Sequence, residues 1–128
     1  MDVARNIAHM VDSTKHCDKM TLNICLSYGS RGEILNACRA LAEDISCGKL
    51  RPCDISESLF ESKLLTQFPD PDLIIRTSGE YRLSNFLLWQ LAYSEMFFLD
   101  KQWPEITKLD LLDVMREYAR DRKRRFGK

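Results

Sequence analysis

The 128-residue chain has no surplus of charge of either sign. Nineteen basic and nineteen acidic residues cancel, so no global field draws it to nucleic acid or to a membrane surface, and any anion site must be local. Histidine is scarce, with only His9 and His16, and the five cysteines (Cys17, Cys25, Cys38, Cys47 and Cys53) contain no CxxC pair. Zinc-like spacing is therefore missing. An odd number of cysteines without a framework pattern predicts reduced, mostly buried thiols, because free cysteine behaves as a small hydrophobe, and with them a cytoplasmic type of compartment. No apolar run is long enough to span a bilayer, since the longest greasy stretch, Phe86 to Leu99, is broken by Trp89-Gln90, Ser94 and Glu95. A signal-peptide pattern, internal repeats and low-complexity segments are also lacking.

What is present is 45% hydrophobic residues, enough for one domain over residues 1–128 that buries a core without metals or disulfides. Asp2 to Val11 has helical spacing but no cap at its start. Leu22 to Leu26 reads as a buried strand ending at Ser27-Tyr28-Gly29. Ser30 with Glu33 matches a capping box, and Ile34, Cys38, Leu41 and Ile45 predict one face of the helix that follows, with Gly48 at its exit. Asp54 with Glu57 repeats the capping pattern ahead of a short helix that stops before Pro69 and Pro71. Leu73-Ile74-Ile75 is a run rich in β-branched residues that predicts a second buried strand. Phe86 to Leu91 is expected to be helical, Met96 to Leu99 to be a third strand, and Asp110 with Asp113 to open the last helix. Strands alternating with helices predict an α/β fold, a mostly parallel sheet with crossover helices.

The chemistry concentrates in Arg76-Thr77-Ser78-Gly79-Glu80-Tyr81-Arg82-Leu83-Ser84-Asn85-Phe86. Arg76 falls at the carboxyl end of a predicted strand, where open α/β sheets collect their ligands. Two guanidinium forks across a glycine turn, with the hydroxyls of Thr77, Ser78 and Ser84 nearby, supply charge and directed donors for a phosphate or diphosphate. Each arginine alone also fits an ordinary surface ion pair, and Glu80 between them fits a structural partner better than an acid or base. Tyr28-Gly29-Ser30-Arg31, at a helix start, is a second anion-friendly loop unless Ser30 simply caps. Glu95 fits either an exposed strand edge or a cation ligand. Arg122 to Arg125 fits a solvated helix end, and a nucleic-acid tail less well for want of interleaved aromatics. Phe86, Trp89, Phe97 and Phe98 fit a core or a subunit contact.

RTSGEYRLSNFLLWQ followed by AYSEMFF resembles the carboxyl-terminal signature of the cis-prenyltransferases, the undecaprenyl and dehydrodolichyl diphosphate synthases. LNICLSYGSRGEI, Trp103-Pro104 and the closing RRFGK are also similar to that family, in order, over essentially the whole chain. The resemblance implies a transferase that condenses isopentenyl diphosphate onto an allylic diphosphate with magnesium (Mg2+), making a polyprenyl diphosphate. It implies that Arg76, Arg82 and Ser84 hold the isopentenyl diphosphate, that Glu95 helps place the magnesium, and that Arg125 and Gly127 reach the same substrate across a homodimer. Peripheral membrane association through the lipid product is implied too, and a nucleic-acid partner is not. The family's Asp-Gly-Asn-Arg phosphate loop and much of its hydrophobic tunnel have no counterpart here. The expectation is therefore the carboxyl-terminal portion of the fold, inactive on its own, with a non-catalytic scaffold subunit and a generic anion-binding module as the alternatives.

Overall fold

The computed structural model of the chain describes residues 3–120. Four helices and two strands follow one another: α1 (Val3–Thr14), α2 (Ser30–Ser46), α3 (Glu57–Glu61), β1 (Leu73–Arg76), β2 (Glu95–Phe98) and α4 (Lys108–Arg120), with single 3-10 turns at Pro52–Asp54 and Trp103–Glu105. The strands pair in parallel, Leu73 with Glu95 through to Arg76 with Phe98. This is an α/β arrangement with a parallel sheet, as the alternation of elements predicts. The buried apolar side chains among the described residues are Ala37 and Leu41 of α2, Leu64, Leu87, Leu91, Phe97 of β2 and Val114 of α4. Every face of α1 is exposed despite its apolar Val3, Ile7, Met10 and Val11.

Several expectations change. Leu22 to Leu26 does not form a strand, and Leu22, Ile24 and Leu26 are exposed. A strand exists only through a neighbour's backbone, and β1 and β2 pair with each other and leave this segment unpaired among the described residues. Phe86 to Leu91 is a succession of turns, not a helix. Leu87 there has φ +46°, outside the right-handed region that helical hydrogen bonding needs. The crossover from β1 to β2 therefore runs through turns. All five cysteines are free but exposed, not buried. On α2 the inward positions are Ala37 and Leu41, which leaves Cys38 facing solvent.

The helix starts also differ in detail. Gly29, not Ser30, is the amino-terminal cap of α2. Ser56 caps α3 by accepting from the Leu59 amide at 3.2 Å, while Asp54 is taken by the backbone and guanidinium of Arg51. α4 opens ahead of Asp110. There the Asp110 carboxylate accepts from the amide and hydroxyl of Thr107 at 2.8 and 2.6 Å, and the Asp110 amide bonds the Thr107 hydroxyl at 3.4 Å, a reciprocal cap. Lys101 adds a 2.6 Å ion pair to the same carboxylate. Lys101 first, and Thr107 after it, hold the Asp110 carboxyl well below the usual range.

The buried polar centre belongs to Glu33, in the first turn of α2 and 2% exposed. Its carboxylate accepts hydrogen bonds from the Tyr28 hydroxyl, from the amide and hydroxyl of Thr66 at 2.9 and 2.8 Å, and from Gln90 Nε2 at 3.3 Å. Gln90 Nε2 also donates to the Thr66 hydroxyl. Three separate stretches of chain thus meet on one side chain, and the positive end of the α2 dipole favours its charge. Burial alone would raise the Glu33 pKa, but the donors of Tyr28, Thr66 and Gln90 outweigh it and the net shift is downward from 4.5. Burial first, and then the Glu33 contact, push the Tyr28 hydroxyl up to about 12.

These shifts give the pH dependence its sign. A depressed carboxyl stabilises the fold fully above its ordinary pKa, and the contribution fades as pH drops from 4.5 toward the folded value. Glu33→Gln is expected to cost about 2 kcal/mol at pH 7, the scale of hydrogen bonds to a charged group. The gap to wild type should narrow in urea melts below pH 4.5, and a gap constant from pH 7 to 3 would show that the ionised form is not what stabilises. At the other limit the raised Tyr28 pKa contributes below its ordinary 10 and is lost between 10 and about 12. Tyr28→Phe should accordingly flatten the alkaline limb of the same melts.

Candidate functional site

The pairing of β1 with β2 continues past the strands and shapes the loop after Arg76. Leu99 N donates to Arg76 O at 2.8 Å, Gly79 N to Leu99 O at 3.0 Å and Ser78 N to Lys101 O at 2.8 Å. The loop turns through left-handed backbone at Ser78 (φ +70°) and Gly79 (φ +62°). A Cβ on Gly79 would stand 3.5 Å from Asp100 Oδ1, an ordinary contact. Its backbone angle, rather than lack of space, is what suits glycine.

Arg76 is half-buried at the end of β1. Its Nη2 donates to Ser84 Oγ at 3.4 Å, and its Nε is buried with no partner. A buried donor without an acceptor costs about 1–3 kcal/mol, so this guanidinium is held in its place with hydrogen-bonding capacity to spare. Arg82 is two-thirds exposed and forms a 2.5 Å ion pair with Glu80, the structural partnership expected for that carboxylate. The structure thus brings Arg76 and Ser84 together and gives Arg82 a different partner.

Ser84 sits in a second left-handed stretch, with φ +49° there, +63° at Asn85 and +46° at Leu87. Each such residue costs on the order of 1 kcal/mol, so the stretch needs outside support. Asn85 O accepts from Ser30 N at 2.8 Å and Asn85 Oδ1 accepts from Arg31 N at 2.8 Å. Ser30 is fully buried, and its hydroxyl accepts from Leu88 N at 3.0 Å. Tyr28 and Phe86 meet edge to face at 5.8 Å beside these bonds. The two anion-friendly loops are therefore stitched to each other, and two of the free amides at the start of α2 belong to Asn85. The reading of the residues gave Asn85 no role. Its one signal was its residue type, since asparagine tolerates left-handed backbone and carries its own acceptor.

Glu95 opens β2, opposite Leu73, whereas Arg76 lies opposite Phe98. At ~3.3 Å per residue that puts their backbones about 10 Å apart along the sheet. Among the described residues no group of three or more His, Cys, Asp and Glu side chains gathers into a metal cage. Arg125 and Gly127 lie outside the described residues.

A half-buried guanidinium whose exposed Nη2 meets a hydroxyl at a strand's carboxyl end makes a compact place for a phosphate oxygen. The profile of the family described as putative undecaprenyl diphosphate synthase matches residues 1–127. An isoprenyl transferase of Prochlorococcus marinus is 52% identical over 89% of this chain and 42% of its own length. A tritrans,polycis-undecaprenyl-diphosphate synthase (geranylgeranyl-diphosphate specific) of Methanopyrus kandleri is 48% identical over 98% of this chain and 46% of its own. The crystal structure of lavandulyl diphosphate synthase from Lavandula x intermedia, in complex with dimethylallyl diphosphate, superposes with a TM-score of 0.87 at 41% identity, over 98% of this chain and 54% of that one. The chain spans about half the length of the curated relatives it matches. Matched from end to end by the profile and by full-chain superposition on a family fold, it belongs to the cis-prenyltransferase family.

Proposed function

We propose that this chain supplies the isopentenyl-diphosphate side of a cis-prenyl elongation site, in which isopentenyl diphosphate adds to an allylic diphosphate to extend a polyprenyl diphosphate. The observation that carries the reading is Arg76: half-buried, one nitrogen on Ser84 and another with no partner. A diphosphate oxygen would meet Arg76 at its exposed Nη2–Ser84 contact, and the Ser84 hydroxyl would hold a second oxygen. Arg82 would join by exchanging its exposed Glu80 contact for the ligand, an exchange of small cost because exposed ion pairs contribute little. Fixing the diphosphate fixes the reacting double bond relative to the allylic substrate, so the contribution to rate is one of proximity and orientation.

Magnesium belongs to the same proposal, with Glu95 as its carboxylate. Magnesium is commonly held by one or two carboxylates together with substrate phosphates rather than by an all-protein cage, and the lone Glu95 suits that mode. When bound, the ion offsets negative charge on diphosphate oxygens. A homodimer completed by Arg125 and Gly127, a cytoplasmic location with membrane contact through the lipid product, and a dolichol-type or bacterial-type polyprenyl product also belong to this reading. The relatives named as isoprenyl transferases and undecaprenyl-diphosphate synthases support its general class.

Isopentenyl diphosphate at a hundred times its dissociation constant should stabilise the wild-type chain by about 2.7 kcal/mol, seen as a rise of several degrees in the melting temperature. Arg76→Leu should abolish the rise, whereas Arg82→Leu should weaken it by about tenfold in ligand concentration. A folded wild type unmoved by millimolar ligand would end the reading. Glu95→Gln should leave magnesium-free binding of inorganic pyrophosphate unchanged and remove the gain that magnesium gives. Equal magnesium enhancement in both proteins would take the metal role from Glu95.

A further inference from the structure

We propose that Asn85 is a positioning residue for the diphosphate site, acting as a cap on α2 from the far side of the chain and thereby setting where Ser84 meets Arg76. The inference rests on the diphosphate reading above and extends it to a residue that contacts no ligand in that reading.

Three observations converge. The cap of α2 is Gly29, which has no side chain to offer, and no side-chain hydrogen bond comes from that position. The acceptors for the next two amides come instead from Asn85, its carbonyl to Ser30 and its side-chain oxygen to Arg31, both at 2.8 Å. The same residue stands at φ +63°, directly after Ser84 at φ +49°, so the cap and the unusual backbone of the hydroxyl-bearing turn are one constraint. The third observation is the closeness of the fit. A Cβ placed on Gly29 would lie 2.8 Å from Asn85 Nδ2, inside any permitted contact, although the backbone of Gly29 (φ −152°, ψ 121°) suits any residue. A Cβ at Gly29 would thus push the asparagine side chain aside, whereas the angles of Gly29 themselves ask for no glycine.

The physical consequence follows in sequence. The hydrogen bonds at the start of α2 hold Asn85, and Asn85 holds the left-handed turn. The turn in turn presents Ser84 Oγ at 3.4 Å from Arg76 Nη2. Without the side-chain acceptor Arg31 N loses its partner, and Ser84 is free to leave the arginine. The guanidinium remains, but the second donor of the site is no longer pre-set, and preorganisation is what converts a pair of donors into affinity.

Two substitutions reach this link from opposite sides. Asn85→Gly keeps the left-handed backbone and deletes the acceptor. Gly29→Ala leaves Asn85 intact and drives its amide off Arg31. Calorimetric titration of the chain with inorganic pyrophosphate should show each variant binding about tenfold more weakly than wild type, the scale of one lost neutral hydrogen bond. The Arg31 amide resonance should shift upfield in both. The double variant should bind no more weakly than Asn85→Gly alone, because the alanine methyl then has nothing to displace, and a purely structural penalty would instead add. Wild type that fails to bind pyrophosphate would overturn the diphosphate reading itself. Wild type that binds, with single variants of unchanged affinity or with penalties that add in the double variant, would overturn the role of Asn85 and leave that reading standing. Should Asn85→Gly not fold, Gly29→Ala decides by the same titration and the same resonance.

Discussion

A buried carboxylate has to find donors or give up its charge, and in this chain Glu33 finds them in three stretches well separated from one another in sequence. Tyr28 precedes α2, Thr66 follows α3 and Gln90 lies in the turns before β2. With only seven buried apolar side chains among the described residues, apolar burial has little to fix the relative placement of these stretches. Hydrophobic contact is also non-directional, whereas a carboxylate with several donors accepts one arrangement. The polar hub therefore supplies much of the specificity of the fold. Removing any one donor leaves the others facing a charge that is less well satisfied.

That hub and the candidate site share a wall. Glu33 and the two amides held by Asn85 all belong to the first turn of α2, and Ser30 in the same turn accepts from Leu88. The start of one helix thus anchors the turns that carry Ser84 on one side and the polar core on the other. Left-handed backbone is concentrated in those same turns, at Ser84, Asn85 and Leu87.

Much of this was legible in the residues, and the failures share a cause. Leu73-Ile74-Ile75, rich in β-branched residues, and Met96-Phe97-Phe98, rich in aromatics, became strands because each had the other to pair with. Leu22 to Leu26 has equally good local character and is no strand, since pairing is a property of two segments and not of one. Ser30 and Glu33 carry the letters of a capping box, yet other partners outbid that bond: distant Leu88 took the serine, and distant Thr66 and Gln90 with nearby Tyr28 took the glutamate. At the candidate site the expected pairing was of the two arginines across Gly79, with the Ser84 hydroxyl nearby; the structure puts Ser84 on Arg76 and Glu80 on Arg82. The partnership of Arg82 with Glu80 was readable. Asn85 could not be read, because its function depends on a helix start 54 residues away.

The left-handed turns carry a consequence for how variation in this chain should be interpreted. At Ser78, Ser84, Asn85 and Leu87 the backbone admits small, polar or glycine residues far more readily than branched ones, whatever touches them. Evolutionary restriction at such positions would be dictated in part by torsion angles alone. A frozen alignment column there is a poor witness to ligand contact, and a freely varying neighbour on regular backbone, were it to face the diphosphate, would be the more telling one.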